Sequence, residues 1–250
     1  MIAAAGRLVS VLVDLVYPKR CAGCSAFLPP RHPIEMCAAC LDNLPWLTEP
    51  YCRICGDDFS VADPGDAETF ADRICADCRR KRPAFSLARS AFKHAGAARE
   101  AVREFKFRGR RALSATLAHV FLRFLAGKPE LTRGLDAVLC VPLHRNRERE
   151  RGYNQAAELA KAISGPLSLP FLGGAVKRSR PTPPQVGLNR SDRIANVHGV
   201  FSVPDPGVIA GLSLLLVDDV MTTGSTASEC ARELVRAGAG EVRVATFARG

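Results

Sequence analysis

The chain has 250 residues, a length that suits one large domain or two smaller ones. Hydrophobic residues make up 47% and charged residues 24%, which is the composition of a soluble globular protein and excludes a chain too polar to form a core. The net charge of +10 favours anionic partners such as phosphorylated metabolites, nucleic acid or an acidic surface. An arginine-rich surface that only keeps the protein soluble is the alternative.

The apolar N-terminal stretch predicts an amphipathic helix over residues 3–16 and no integral membrane segment. In GRLVSVLVDLV, the polar residues Arg7, Ser10 and Asp14 recur at helical spacing. The run stops at Pro18, short of the roughly 20 residues that a spanning helix needs. No small-residue cleavage site follows a basic region, so a secretory signal is not expected. A peripheral membrane anchor is the alternative for this helix.

Eight of the ten cysteines form four Cys-x-x-Cys pairs: Cys21/Cys24, Cys37/Cys40, Cys52/Cys55 and Cys75/Cys78. Such pairs in a chain without an export signal indicate a reduced compartment, and therefore a cytoplasmic protein that binds metal through its thiols. Zinc prefers four thiolates in a tetrahedron, so four pairs predict two closed structural zinc sites. Short spacing favours sequential sites, the first two pairs in one and the last two in the other, while an interleaved arrangement stays open. Cys140 and Cys230 lie in apolar patterns and are predicted core residues.

After residue 84 the pattern changes to alternating strand-like and helix-like segments. The first half contains a strand at Leu87–Lys93, helices at Ala98–Phe107 and Leu113–Leu125, a buried strand at Asp136–Leu143 and a helix at Tyr153–Ile163. The second half contains a short apolar run at Phe171–Val176, a long polar loop at Lys177–Val197, a buried strand at Leu212–Val217, a helix with its apolar face at Ala227–Val235, and a last strand, EVRVATFA. This alternation predicts an open, mostly parallel α/β sheet with helices on both faces. We therefore predict two domains, residues 1–84 and 85–250.

Two adjacent acids follow the strand Leu212–Val217 and precede a turn of small hydroxylated residues. Because ligands of such sheets bind outside the carboxyl ends of the strands, Asp218 and Asp219 should face a ligand. The turn consists of Thr222, Thr223, Gly224, Ser225 and Thr226 and opens the next helix, where free backbone N–H groups suit a phosphate. The carboxylates suit a diol, so that the pattern matches ribose 5-phosphate. A capped turn without a ligand is the alternative.

The segment LLLVDDVMTTGST resembles the phosphoribosyl diphosphate (PRPP) motif of type I phosphoribosyltransferases. This resemblance implies that Asp218 and Asp219 bind the ribose 2′- and 3′-hydroxyls, that Thr222 to Thr226 hold the 5-phosphate, and that Mg²⁺ bridges diphosphate and ribose. The segments VPLHRNRERERGYNQA, RSRPTPPQVGLNRSDRIANVHGVF and EFKFRGRRAL, together with the cysteine pairs, resemble the ComF family of competence-associated proteins. That likeness implies a double zinc ribbon followed by a phosphoribosyltransferase-type domain.

Basic segments supply further candidate binding residues. His144 and Arg145 follow the strand Asp136–Leu143, where the type I family has its diphosphate loop, and cations there suit a diphosphate leaving group. A helix entry with surface ion pairs is the alternative, and His144 is more typical of a structural donor than of a general acid. The loop Lys177–Val197 has the position of the family's lid, in which Arg178, Thr182 and Gln185 could reach a substrate.

The stretch REFKFRGRR interleaves two phenylalanines with cations, a pattern that also occurs in single-strand binding surfaces. We interpret Phe105 and Phe107 as core residues. Lys106 and the arginines 108, 110 and 111 are candidates for binding nucleic acid or the substrate's phosphates.

Two functions therefore compete. The first is transfer of a phosphoribosyl group from PRPP to an acceptor that no residue identifies, in a protein associated by family likeness with DNA uptake. The second is a non-catalytic adapter of natural transformation that handles single-stranded DNA or contacts a DNA-uptake helicase.

Overall fold

The computed structural model describes residues 18–59, 73–107, 109–182 and 190–250. The predicted helix over residues 3–16 lies outside this part of the chain, as do Arg108 and Gln185.

Four parallel strands form the central sheet, in the order β1–β6–β5–β2. Their bounds are Leu87–Lys93 (β1), Ala137–Cys140 (β2), Ser213–Met221 (β5) and Glu241–Arg249 (β6). Two short antiparallel strands, Lys177–Arg178 (β3) and Phe201–Ser202 (β4), form a separate ribbon. The predicted apolar run at Phe171–Val176 contributes a single parallel bridge, from Phe171 to Val138 of β2. The predicted open parallel sheet is confirmed.

The described helices run in chain order from the cysteine-rich region to the last strand. They are Ala38–Asp42 (α1), Ala76–Arg80 (α2), Gly96–Phe107 (α3), Leu113–Ala126 (α4), Pro129–Thr132 (α5), Arg145–Arg151 (α6), Gln155–Ser164 (α7), Arg190–Val197 (α8) and Ser225–Arg236 (α9). Asn154 starts α7, since its side chain accepts hydrogen bonds from the backbone N–H groups of Ala156 and Ala157.

Both faces of the sheet are covered, as the continuous apolar runs of its strands predict. Leu215 and Val217 of β5 pack in one apolar cluster with α3, α4 and α7. Leu214 and Leu216 point to the other face, where α9 packs against them. Alternate residues of one buried strand therefore belong to two cores, which is why β5 has no polar residue between Ser213 and its acids.

The cysteine-rich segment pairs with the free edge of β1. The backbone N–H of Leu47 donates to the carbonyl of Ala91 at 2.9 Å, and the N–H of Ala88 donates to the carbonyl of Ile54 at 2.7 Å. Cys21, Met36 and Leu44 belong to the first apolar cluster, whereas Cys52, Ile54 and Cys78 belong to the second. This segment therefore shares both cores with the sheet, and the domain boundary at residue 84 stays a prediction.

Two segments differ from the sequence-based prediction. The strand predicted to end at Val217 continues as β5 through Asp218 and Asp219 to Met221, because β6 extends equally far and keeps pairing with it. The predicted loop Lys177–Val197 begins with β3, which pairs with β4, and ends with α8, whose last residue Val197 is buried.

Candidate functional site: a cleft at the carboxyl ends of the strands

A cleft of about 830 Å³ lies at the carboxyl ends of β2 and β5. The pairing places Cys140, the last residue of β2, beside Val217, the residue before the acids. Seven of the predicted site residues line this cleft: Lys106, Arg178, Thr182, Asp218, Asp219, Thr222 and Thr226. The geometry thus brings together side chains from α3, β3 and β5 and from the turn that leads into α9.

Both aspartates line the cleft, and a lysine compensates their negative charge. The backbone N–H of Asp219 donates to Asp218 Oδ1 at 2.9 Å, and Lys106 Nζ lies 2.9 Å from Asp219 Oδ1. Burial raises the pKa of Asp218 to about 7, and the negative charge of Asp219 adds to this shift. Lys106, the Asp219 N–H and Arg178 oppose the shift. Near neutral pH the Asp218 carboxyl therefore exchanges between its neutral and its charged form.

Two arginines, Arg147 and Arg178, line the same cleft as the acids. Arg178 Nη2 donates to Thr182 Oγ1 at 2.5 Å, and Arg147 Nη2 donates to the carbonyl of Thr182 at 3.2 Å. Burial lowers the pKa of Arg178, and the positive charge of Arg147 contributes. Arg178 and Thr182, which were predicted to lie in a lid, thus hydrogen-bond to each other, and Thr182 is also bonded to Arg147 of α6.

The turn after β5 faces two cavities. Thr222 and Thr226 line the cleft. Thr222 also lines, together with Thr223, Gly224 and Ser225, a second cavity of about 380 Å³ beside the second cysteine group. The Thr223 and Ser225 hydroxyls lie 2.8 Å apart and hydrogen-bond to each other. Gly224 has φ = +74°, a conformation that favours glycine and reverses the chain into α9.

His144 and Arg145 do not line the cleft. His144 is the N-cap of α6, since its Nδ1 accepts from the backbone N–H of Asn146 at 3.3 Å, and Arg145 is exposed. Arg147 and Arg151 of the same helix do line the cleft, one helical turn apart. Both belong to the basic segment that was predicted to suit a diphosphate, in which His144 and Arg145 were singled out, and their i, i+4 spacing was a usable signal for the residues that line the cleft.

The segment that ends α3 separates into buried and exposed residues. Phe105 is buried as predicted, but the prediction for Phe107 is wrong: 71% of it is exposed, and it lines the cleft with the Arg151 guanidinium 5.5 Å from its ring centroid. Arg110 forms ion pairs with Glu35 and Glu104, and Arg111 pairs with Glu158 at 2.6 Å. These two arginines therefore stabilise packing between elements.

The eight paired cysteines form two groups in the predicted sequential order, Cys21/Cys24/Cys37/Cys40 and Cys52/Cys55/Cys75/Cys78. Within each group all four sulfur atoms lie within 4.8 Å of one another. Backbone N–H groups point at Cys21 Sγ from Cys37 and at Cys52 Sγ from Cys75, both at 3.3 Å, as suits a thiolate. Four thiols with such donors and no other ligand type fit tetrahedral zinc, so both groups fit zinc ribbons.

The second cysteine group is linked to the sheet next to the turn. Arg249 of β6 pairs with Met221 of β5, donates to the Cys55 carbonyl at 2.9 Å and forms an ion pair with Asp57 at 2.7 Å. Because Arg249 also lines the smaller cavity with Thr223, the ribbon and the turn share one wall.

Among the described helices, none combines the length and the apolar character needed to span a membrane.

Comparison with known proteins agrees with this architecture. A double zinc ribbon domain matches residues 12–79, and a phosphoribosyl transferase domain matches residues 149–250. Competence protein F of Haemophilus influenzae is 29% identical over 217 residues, which cover 86% of this chain and 90% of that protein. DNA utilization protein YhgH of Escherichia coli K12 is 31% identical over 173 residues, 68% of this chain and 75% of that protein. The chain therefore belongs to the ComF family, with a double zinc ribbon and a phosphoribosyl transferase domain.

Proposed function

We propose that the cleft binds PRPP and that this protein, in the cytoplasm, transfers the phosphoribosyl group to an acceptor still to be identified. The observation that carries the proposal is the convergence of Asp218, Asp219, Thr222 and Thr226 on one cleft that Arg147 and Arg178 also line. The phosphoribosyl transferase domain that the chain contains supports the same ligand class.

The acid pair suits the ribose hydroxyls. A carboxylate only accepts hydrogen bonds, and a vicinal diol offers two donors at a spacing that adjacent carboxylates can share. Since the pKa of Asp218 is about 7, we expect ribose binding to strengthen as the pH rises through neutrality and the carboxyl loses its proton. The turn of Thr222 to Thr226 is the proposed site of the 5-phosphate, because it reaches the cleft through Thr222 and Thr226 and helix N-terminal N–H groups favour a phosphate.

The chemistry follows from the charges around the sugar. The bond from the anomeric carbon to the diphosphate oxygen breaks, and its electron pair leaves with the diphosphate. Arg147 and Arg178 are the cations we assign to the departing diphosphate, where they stabilise developing negative charge. The acceptor then forms the new bond to the anomeric carbon, which carries positive charge in the transition state.

Mg²⁺ does not fit the acid pair alone. Carboxylate oxygens are suitable ligands, but Lys106 already compensates Asp219 at 2.9 Å, and the pKa of Asp218 is raised by burial and by Asp219. We therefore keep Mg²⁺ in the proposal only as the counter-ion of the PRPP diphosphate.

A comparison of sugars tests the ribose assignment. We expect calorimetry to show binding of PRPP with Mg²⁺, and ribose 5-phosphate to bind about tenfold or more tightly than 2-deoxyribose 5-phosphate, because the deoxy sugar leaves one partly buried carboxylate without a donor. Equal affinity for the two sugars would remove the acid pair from ribose recognition. Release of diphosphate from PRPP with a panel of acceptors then tests transfer.

The second candidate, an adapter for single-stranded DNA or for a DNA-uptake helicase, is favoured by the smaller cavity. Arg80, Lys81 and Arg82 line it from the ribbon side, and within the described residues the side chains of Lys81 and Arg82 make no ion pair. Relatives are named competence protein F and DNA utilization protein. A diol-binding acid pair does not suit deoxyribose, so we place DNA on this basic surface and outside the cleft.

Charge reversal tests the adapter. If Lys81 and Arg82 contact phosphates, Lys81→Glu with Arg82→Glu should weaken binding of a fluorescent oligo(dT) and reduce the slope of log affinity against log salt by about 1.4, at about 0.7 per lost contact. Arg123→Glu with Lys161→Glu is the matched control, since these exposed residues lie on helices of the opposite sheet face. Fluorescence anisotropy between low and moderate salt measures both slopes, and equal slopes in all three proteins would contradict the assignment.

A further inference from the structure

The ammonium of Lys106 is a cation that contacts the acid pair. Its Nζ lies 2.9 Å from Asp219 Oδ1, with 20% of the lysine side chain and 13% of the aspartate side chain exposed. An ion pair shielded to this degree is less screened by solvent than a surface pair. The two side chains come from distant parts of the sequence, α3 and β5, so the contact exists only in the folded chain.

The end of α3 is held firmly enough to keep the lysine there. The Tyr153 hydroxyl donates to the carbonyl of Phe105, whose buried ring packs on Tyr153 with centroids 5.4 Å apart. Asn154, the next residue, donates to the carbonyl of Val141 at 3.1 Å and ties this wall of the cleft to the end of β2. Lys106 also lies in the last helical turn, where the helix dipole favours a cation.

The local charges leave little attraction for a free metal ion. Two carboxylates are present, but the ammonium of Lys106 contacts one of them and the guanidinium of Arg178 acts on the other. A divalent ion at the pair would have to approach the ammonium closely, and like charges at such distances repel strongly when they are partly buried.

We propose that Lys106 is a displaceable counter-ion that keeps free divalent metal off the acid pair, so that metal enters the cleft only with a diphosphate-bearing sugar. This inference rests on the proposed binding of PRPP. When the sugar binds, one of its hydroxyls donates a hydrogen bond to the Asp219 carboxylate in place of the ammonium. The released ammonium of Lys106 then donates to the anionic ligand. Lys106 thus couples sugar binding to metal entry.

A lysine suits this exchange better than an arginine. Its ammonium is a compact charge on a flexible stem, whereas a guanidinium would hold a carboxylate with two parallel hydrogen bonds. Lys106→Arg should therefore still exclude metal but release Asp219 less readily, and it should weaken PRPP binding while the protein remains folded.

The experiment uses the zinc-loaded, full-length protein and Mn²⁺ as the probe, followed by the electron paramagnetic resonance signal of free Mn²⁺. Because a like charge within about 4–6 Å shifts an ionic equilibrium by roughly tenfold or more, we expect Lys106→Met to bind one Mn²⁺ at least about tenfold more tightly than the parent without PRPP. Lys106→Arg should behave like the parent. Adding Asp219→Asn to Lys106→Met should abolish the gain, which assigns the metal to the acid pair.

Each outcome decides between the exchange and a purely structural ion pair. A folded Lys106→Met that binds Mn²⁺ no better than the parent overturns the inference, as does a parent that binds Mn²⁺ tightly without PRPP. If Lys106→Met does not fold, Lys106→Gln takes its place, because it retains a polar donor. It is also possible to separate the two proposals. If the variant binds Mn²⁺ more tightly but none of the proteins binds PRPP, the proposed function is refuted, whereas metal exclusion by Lys106 is supported.

Discussion

Replacing Asp218 and Asp219 by asparagine is expected to weaken PRPP binding about a hundredfold. Each hydrogen bond from a hydroxyl to a charged carboxylate contributes about 1.5–3 kcal/mol, and two such bonds correspond to a factor of about a hundred or more in affinity. Calorimetry with PRPP and Mg²⁺ measures the loss. Glu148→Gln is the control for loss of a carboxylate outside the site, because Glu148 is exposed on α6 and does not line the cleft.

Removing the Asp218 charge should weaken ligand binding but increase the stability of the unliganded protein. The pKa of Asp218 is raised from 3.8 to about 7, so the fold favours the neutral carboxyl. The stability that this preference contributes is fully present below pH 3.8 and is lost as the pH rises through 7. Asp218→Asn should therefore raise the melting temperature at pH 8 and have little effect near pH 4.

If the double Asp218→Asn, Asp219→Asn variant binds PRPP like the parent, the acid pair has only a structural role.

Loss of the second zinc site is expected to destabilise the whole chain. Cys52→Ser should lower the zinc content from two ions per chain to about one, since both cysteine groups have four thiols and a tetrahedral zinc needs them all. Cys52, Ile54 and Cys78 are part of the same apolar cluster as β5 and α9. We expect the melting temperature to fall by about 10 °C or more, at roughly 2–4 °C per kcal/mol for a chain of this size.

Cys230→Ser is the control for the zinc measurement, because Cys230 is buried in α9 outside both cysteine groups and this variant should retain two zinc ions. Metal analysis and a thermal scan report the two effects. A scan in which Cys52→Ser melts in two steps, with the sheet unaffected, would instead support the predicted boundary at residue 84 as a division between independent folding units.

Sequence reasoning succeeded where a local pattern had a single physical solution. The apolar run before Asp218 had to be buried on both faces, and it forms the central part of β5. The cysteine spacing could satisfy zinc only in groups of four, and the two groups form in sequential order. The acid pair and its turn were recognised as one unit because strand, turn and helix are continuous in the chain.

Sequence reasoning failed where the outcome depended on how a helix ends or on which strand lies beside another. Phe105 and Phe107 have the same local pattern, but only Phe105 faces the core when α3 stops at the cleft. The extra length of β5 depends on its neighbour β6, which a single segment does not contain.

The sequence by itself determined the main strands and helices of the sheet, the two cysteine groups and the motif at residues 214–226, because each depends on residues that are close in the chain. Only the tertiary structure decided that the ribbon pairs with β1, that Arg110 is used in packing, and that Lys106 reaches Asp219. Those contacts join residues far apart in sequence, and they form because burying two apolar sheet faces brings particular helix ends to the carboxyl edge of the sheet. The charge balance of the candidate site therefore depends on the tertiary packing and cannot be predicted from the sequence motif alone.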